Sequence, residues 1–313
     1  MVELADVALA RYRIAPHLTP TPLEKIPGLG ESIWLKLENT NKTHSFKVRG
    51  ALNALLALDK KALRKGIVAC SSGNHAHGLA YAAYLLGTKA QILMPEHTPR
   101  RKVEGVKRYG SEAVITGDNY DEAEEEARRL ESREGFTFVS PYNNAHVVAG
   151  AGTIGLEIFD SLPEIERVLV PVSGGGLISG VALTLKALKP QIEIIGVCAE
   201  SAPTMFNLFY DSAYPQVWDT LAEALSGDIE ANSITINLAQ RFVDEIVLVS
   251  EQAIADAMRW LLFDCGWVVE GGGAVGIAAL QSGVVEVDNR STVVVISGGN
   301  VDEETLRQVL NNE

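Results

Sequence analysis

The feature that most constrains this chain is a repeated alternation. Short, unbroken apolar runs stand between stretches of helical periodicity: GIVACS (66–71), AQILMP (90–95), EAVITG (112–117), FTFVSP (136–141), VLVPVS (168–173), EIIGVCA (193–199), IVLVS (246–250) and TVVVIS (292–297). A strand with one wet face alternates apolar and polar residues, whereas a continuous β-branched run is covered on both faces. Helices are predicted between these runs at 75–87, 98–109, 120–135, 177–188 and 251–264, with another beginning near Phe46. Strand–helix repetition of this kind builds parallel sheets flanked by helices. The predicted fold class is therefore α/β, with doubly wound open sheets. The runs outnumber the strands of one mononucleotide-type sheet, so two domains with a crevice between them are expected. No Pro, Gly or Ser linker marks a boundary, and the domains are expected to be interleaved.

Composition narrows the function classes. The formal charge of -13 leaves no dominant basic footprint, so nucleic acid is not an expected partner. The basic run Arg100, Arg101, Lys102, Lys107 and Arg108 reads as one solvated helix. Cys70, Cys198 and Cys265 lie far apart in apolar runs and lack metal-ligand spacing, so no metal site is expected. The N-terminal stretch is an amphipathic helix without a signal-peptide pattern, and no apolar run reaches the roughly 18 residues of a membrane span. A soluble, cytoplasmic protein is expected.

Ligands of such sheets bind beyond the carboxyl ends of the strands. The turn CSSGNHAHG (70–78) gathers Ser71, Ser72, Gly73, Asn74 and His75 at a helix start, which suits a carboxylate or another oxyanion, or simply caps the helix. The turn PVSGGGLISG (171–180) brings three consecutive glycines to another helix start, where backbone N–H groups suit a phosphate. The same glycines permit a weaker dinucleotide reading, with Gly174, Gly176, Gly180 and Glu200, hence an oxidoreductase. ISGGN (296–300) puts Ser297 at the end of the last strand. VVEGGGAVGIAAL (268–280) reads as a glycine-rich helix start serving packing, with Glu270 able to point into the crevice.

Lys47 is the anomaly. It stands in the first turn of an apolar helix, where both burial and the positive end of the helix disfavour an ammonium. A lysine with a lowered pKa forms a Schiff base with an aldehyde. The aldehyde cofactor that also carries a phosphate is pyridoxal 5'-phosphate. A surface lysine that snorkels, or a non-catalytic binder that keeps both cradles, are the blander readings.

In this order, SFKVRGA, SSGNHA, AGAGTIGLE, SGGGL and SGGN resemble the threonine/serine dehydratases and serine racemases, which are fold type II pyridoxal phosphate enzymes. The resemblance spans about Thr21 to Asn300. It implies that Lys47 is the Schiff-base lysine and that Phe46 lies against the cofactor ring. It implies that Asn74 holds the ring hydroxyl, that Gly174, Gly175, Gly176 and Leu177 hold the phosphate, and that Ser297 faces the pyridine nitrogen. Ser71, Asn74 and His75 are then expected to receive the substrate carboxylate, and Ser72 matches the racemases' second base. The family further implies a small domain, 66–143, inserted in a large one, 1–65 plus 144–313. A homodimer is expected, and no C-terminal regulatory domain. The implied activity is dehydration of a small β-hydroxy amino acid to a 2-oxo acid and ammonia. Racemisation, β-replacement or a hydroxyaspartate-type dehydration are the alternatives. The departures are His44 and Ala224 where the family has Gly, Ala151 where it has Gln, and Cys198 and Thr204 where metal-activated members carry carboxylates. His44 either caps its loop or reaches the substrate.

Overall fold

The structure, a computed structural model, describes residues 2–26 and 28–311. Helix α1 (Leu4–Ile14) leads to strands β1 (Leu23–Lys25) and β2 (Ile33–Leu37). Two 3-10 turns, Glu38–Thr40 and Lys42–His44, precede α2 (Lys47–Leu56) and α3 (Lys60–Lys65). Then follow β3 (Ile67–Cys70), α4 (Asn74–Leu86), β4 (Ala90–Met94), α5 (Arg100–Lys107), β5 (Glu112–Ile115), α6 (Tyr120–Glu134) and β6 (Thr137–Phe138). The chain continues through α7 (Ala145–Ser161), β7 (Arg167–Pro171), α8 (Gly176–Leu188), β8 (Glu193–Ala199), α9 (Thr204–Tyr210) and a 3-10 turn at Glu223–Leu225. It ends with α10 (Ile234–Phe242), β9 (Glu245–Val249), α11 (Glu251–Phe263), α12 (Gly271–Gln281), β10 (Thr292–Ile296) and α13 (Glu303–Asn311).

Every apolar run in the alternation forms a strand. The strands make two sheets, in the orders β1-β2-β10-β7-β8-β9 and β5-β4-β3-β6. All pairings are parallel except β1 with β2. The two predicted elements that fall furthest short of the pattern are β6 and α5. Strand β6 stops at Phe138, because Ser140 folds back to accept the N–H of Asn143 and Pro141 has no N–H to offer a ladder. Helix α5 starts at Arg100, directly after Pro99, whose φ of -55 and ψ of 136 are not helical.

Strand order locates the crevice. In the larger sheet the chain runs β7, β8, β9 to one side, and β10 lies on the other side of β7. In the smaller sheet it runs β3, β4, β5 to one side, and β6 lies on the other side of β3. Each sheet thus has a topological switch point, at β7/β10 and at β3/β6, where connections diverge and leave a gap for a ligand. The segments 71–75, 141–142, 173–177 and 297–300 all follow the carboxyl ends of these four strands.

The sheets are tied together by α2 and α7. A Cβ on Gly150 would lie 2.7 Å from both Arg49 O and Gly50 Cα, and one on Gly50 would lie 2.9 Å from Val147 O. The two backbones touch because neither residue has a side chain. Gly150→Ala is expected to force α7 off α2 and destabilise the protein by about 2–3 kcal/mol, the cost of overpacking against immobile backbone. Urea unfolding checks this, and an unchanged midpoint would mean the helices are not so closely joined.

Candidate active site

Helices α3, α6, α7, α10 and α11 start with a side-chain cap from Asp59, Asn119, Asn144, Ser233 and Ser250. Helices α2, α4, α8 and α12, which start at the crevice, have none; nor do α5 and α9, which follow Pro99 and Pro203. First-turn N–H groups have no partner inside a helix, so an uncapped start offers donors to a ligand.

The start of α8 is built for close approach. A Cβ on Gly174 would lie 2.5 Å from ring carbons of Tyr142, one on Gly175 2.6 Å from Met205 Cε, and one on Gly176 3.1 Å from Tyr142 Cα. Protein thus fills the side-chain side of all three glycines. Gly175 also has φ +83, which favours glycine. Thr235 Oγ1 donates to Gly174 O at 2.7 Å and fixes the turn. These residues fit a phosphate. Gly180 has a different reason: its Cα faces the backbone of Val148 and Gly152, so it serves the α7–α8 contact.

Lys47 sits where the loops meet. Phe46 N–H donates to Ser297 O at 3.0 Å, and Ser45 forms a bridge with Gly298. Lys47 Nζ donates to Pro141 O at 3.0 Å and lies 5.2 Å from the centre of the Phe46 ring. Pro141 precedes Tyr142, which covers the glycine loop. Lys47, Phe46, Ser297 and Gly174–Leu177 are thereby brought together. Burial pulls the Lys47 amine down to about 8, against the opposing pull of Glu270.

At the end of β3, Ser71 Oγ accepts the Gly73 N–H at 3.3 Å. Ser72 is half-buried, and the space where a Gly73 side chain would stand is open within 4 Å. The His75 imidazole is 2% exposed, with Nε2 lying 3.0 Å from Val139 O. Burial first, then Lys47, lowers its pKa to about 3, so the ring stays neutral. What His75 offers an anion is its backbone N–H in the first turn of α4.

Both ends of the Asn74 amide are engaged. Its Nδ2 donates to Glu270 Oε1 at 2.7 Å, and its Oδ1 accepts from Asn300 Nδ2 at 2.7 Å. Asn300 Nδ2 also donates to Thr43 O at 2.8 Å, and Asn300 N–H to Glu270 Oε2 at 3.2 Å. Because Thr43 O only accepts, the orientations of both amides follow from the network. Glu270 does enter the crevice, the possibility that the sequence leaves open beside a packing role for its glycine-rich run. Tyr142 and Asn300 went unnoticed. The signal for Asn300 was its place at the end of SGGN; for Tyr142 there was only its position after a strand.

The departures lie in varied places. His44 is solvent-exposed with φ +54, next to Thr43 at φ +60, and its carbonyl accepts the Gly299 N–H at 3.0 Å. The family's glycine at this point matches that left-handed backbone. Ala151 is buried in the core between α7 and α8. Ala224 is exposed in the 3-10 turn beside Gly272. Cys198 is buried, and Thr204 Oγ1 donates to Gly227 O at 3.0 Å.

Glu270 carries an electrostatic cost. Burial raises its pKa to about 7, although Asn74 and Asn300 pull it down. Relative to the unfolded chain, the folded state binds an extra proton between about pH 4.5 and 7, so this group's contribution falls as pH rises through that window. Glu270→Gln is expected to be more stable than the wild type at pH 8, by up to about 3 kcal/mol, with the gap narrowing towards pH 5. Denaturation curves at the two pH values test this; a variant less stable at pH 8 would show that the carboxylate's hydrogen bonds outweigh its burial.

Comparison with known proteins agrees with this geometry. Residues 14–299 match the family described as pyridoxal-phosphate dependent enzyme. The L-threonine ammonia-lyase of Thermotoga maritima is 42% identical, over 99% of this chain and 79% of that protein. The catabolic L-threonine dehydratase TdcB of Escherichia coli K12 is 38% identical, over 98% of this chain and 96% of that one. Maize serine racemase superposes with a TM-score of 0.92 at 33% identity, over 99% of this chain and 97% of that one. With the family match spanning both switch points and all but the last residue of the crevice segments described above, the chain belongs to the pyridoxal-phosphate-dependent enzymes.

Proposed function

We propose that this enzyme is a dehydratase, or ammonia-lyase, that converts serine or threonine to a 2-oxo acid and ammonia. The observation that carries the reading is Lys47, an amine with a depressed pKa held among uncapped helix starts. Pyridoxal phosphate supplies, when bound, an aldehyde for amine condensation and a ring that takes up the electron pair left at Cα.

The chain's own residues do the rest. The N–H groups of Gly174, Gly175, Gly176 and Leu177 bind the phosphate. Asn74, its amide fixed by Glu270 and Asn300, faces the ring hydroxyl. Ser297 faces the pyridine nitrogen and, being neutral, supplies no charge to hold a proton there. Ser71, Asn74 and the His75 backbone N–H hold the substrate carboxylate. Lys47 Nζ takes the Cα proton and returns it to the β-hydroxyl, which departs as water, and a second water molecule hydrolyses the resulting unsaturated amine, through its imine tautomer, to the oxo acid and ammonia. The ~40% identity to threonine dehydratases supports this activity. Racemisation, with Ser72 as the second base, is the other reading, favoured by the likeness to maize serine racemase and by the open space at Gly73.

Segment 66–143 is read as a domain inserted in 1–65 plus 144–313; the small sheet's strands all coming from 67–138 supports this. A cytoplasmic homodimer completes the proposal, and light scattering that gives a single chain's mass would remove the dimer from it. Among the described residues no helix is long and apolar enough to cross a membrane.

The test is oxo-acid and ammonia release from an amino-acid panel, with serine and threonine expected to turn over; racemisation without ammonia would install the second reading. Lys47→Ala is expected to lower kcat by about 10²–10⁴-fold and to abolish borohydride fixation of the cofactor. Fixation on another lysine would defeat the assignment. The Lys47 amine is free only once substrate has taken its place on the cofactor, and it is then neutral above about pH 8, so kcat is expected to rise through pH 7–8.

A further inference from the structure

Two residues beyond Lys47, on the same turn of α2, lies a buried charge cluster that the proposed reaction does not use. Successive helical residues are rotated by about 100°, so Lys47 and Arg49 face opposite ways. Lys47 meets the crevice, and Arg49 is buried at the back, 1% exposed. Its guanidinium is gripped from two sides. Nε and Nη2 donate to the two oxygens of Glu38, both at 2.8 Å. Nη1 and Nη2 donate to the two oxygens of Glu157 at 2.6 and 2.8 Å. The remaining Nη1 hydrogen goes to Thr153 Oγ1 at 3.1 Å. All five donors are used, and each carboxylate is held in the planar fork that only arginine provides.

The grip extends further. Lys36 Nζ donates to Glu157 Oε2 at 2.6 Å and to Thr21 O at 2.7 Å. Asn41 Nδ2 donates to Glu38 Oε2 at 2.9 Å, and Thr21 Oγ1 to Glu38 Oε1 at 2.5 Å. Two cations and two carboxylates balance, and they join β2, the turn after it, α2 and α7. Buried ion networks seldom stabilise a fold more than well-packed apolar side chains would. What they do provide is direction, because each bond has a required angle.

We propose that Arg49, clamped between Glu38 and Glu157, is a positioning residue for Lys47: it fixes the rotation and height of the first turn of α2, and so the place of the Lys47 amine. This rests on the reading of Lys47 as the lysine that joins the cofactor. Gly50 against Gly150 sets how near α2 and α7 come. The clamp sets how α2 is turned at that distance.

The test compares wild type, Arg49→Lys and Glu157→Gln as holoenzymes. Lysine keeps the charge but cannot grip two carboxylates. The expected result for Arg49→Lys is a kcat lower by roughly 10–100-fold, the effect of an ångström-scale misplacement, with KM within about twofold of wild type. Amide exchange at residues 47–50 is expected to quicken. The rising limb of the pH–rate profile is expected to move to higher pH, since a wetter amine is neutral in a smaller fraction at any given pH. Glu157→Gln is expected to shift all three readouts the same way by less, and it decides alone should Arg49→Lys not fold. Variants that lose thermal stability while keeping wild-type kcat, exchange and pH limb would overturn the proposal and leave the cluster a structural support. Borohydride fixation on a lysine other than Lys47 in the wild type would defeat the underlying reading instead.

Discussion

Four helices begin at one crevice with no side chain to satisfy their first turns, and the site follows from that. Each start presents N–H groups and the positive end of a dipole. Anions are drawn there and cations are resisted. Burial lowers the pKa of Lys47 at one of these starts, and Gly174–Leu177 and Ser71–His75 set uncapped first turns where an anion would be drawn. Backbone lines the crevice at Gly174–Gly176, where the space a side chain would take is already filled by Tyr142, Met205 and Thr235.

Much of the fold was legible because parallel strands covered on both faces leave unbroken apolar runs. The elements that escaped did so for identifiable reasons. Strand β2 reads IWLKL, and its Lys36 breaks the apolar run although it is buried on Glu157. Helix α7 carries Gly150, Gly152 and Gly155, which lower helix propensity and are there because α2, α1 and α8 approach so closely. Strand β1 is three residues long, too short for any period to register.

The candidate site divides the same way. Lys47, the serine–asparagine turn and the glycine loop each announce themselves within ten residues, because a helix start is a local object. The partners that orient them are remote: Glu270 is 196 residues from Asn74, and Glu157 is 108 from Arg49. No local pattern marks a carboxylate whose value lies in what the fold brings to it. Glu270 sits in a run of small residues that packs well enough to explain itself.

The strand order also governs assembly in time. Strand β2 is zipped in register to β10, Ile33 opposite Thr292 through Leu37 opposite Ile296, while the small sheet draws on a continuous span of chain. As the polypeptide emerges from the ribosome, that span can collapse on local contacts, but β2 cannot pair with β10 until residues 292–296 have been made. Until β10 arrives, Phe46 has no Ser297 carbonyl to bond and Ser45 no Gly298 to bridge. The contacts that seat Lys47 in the crevice are therefore completed only after residues 297 and 298 have been made.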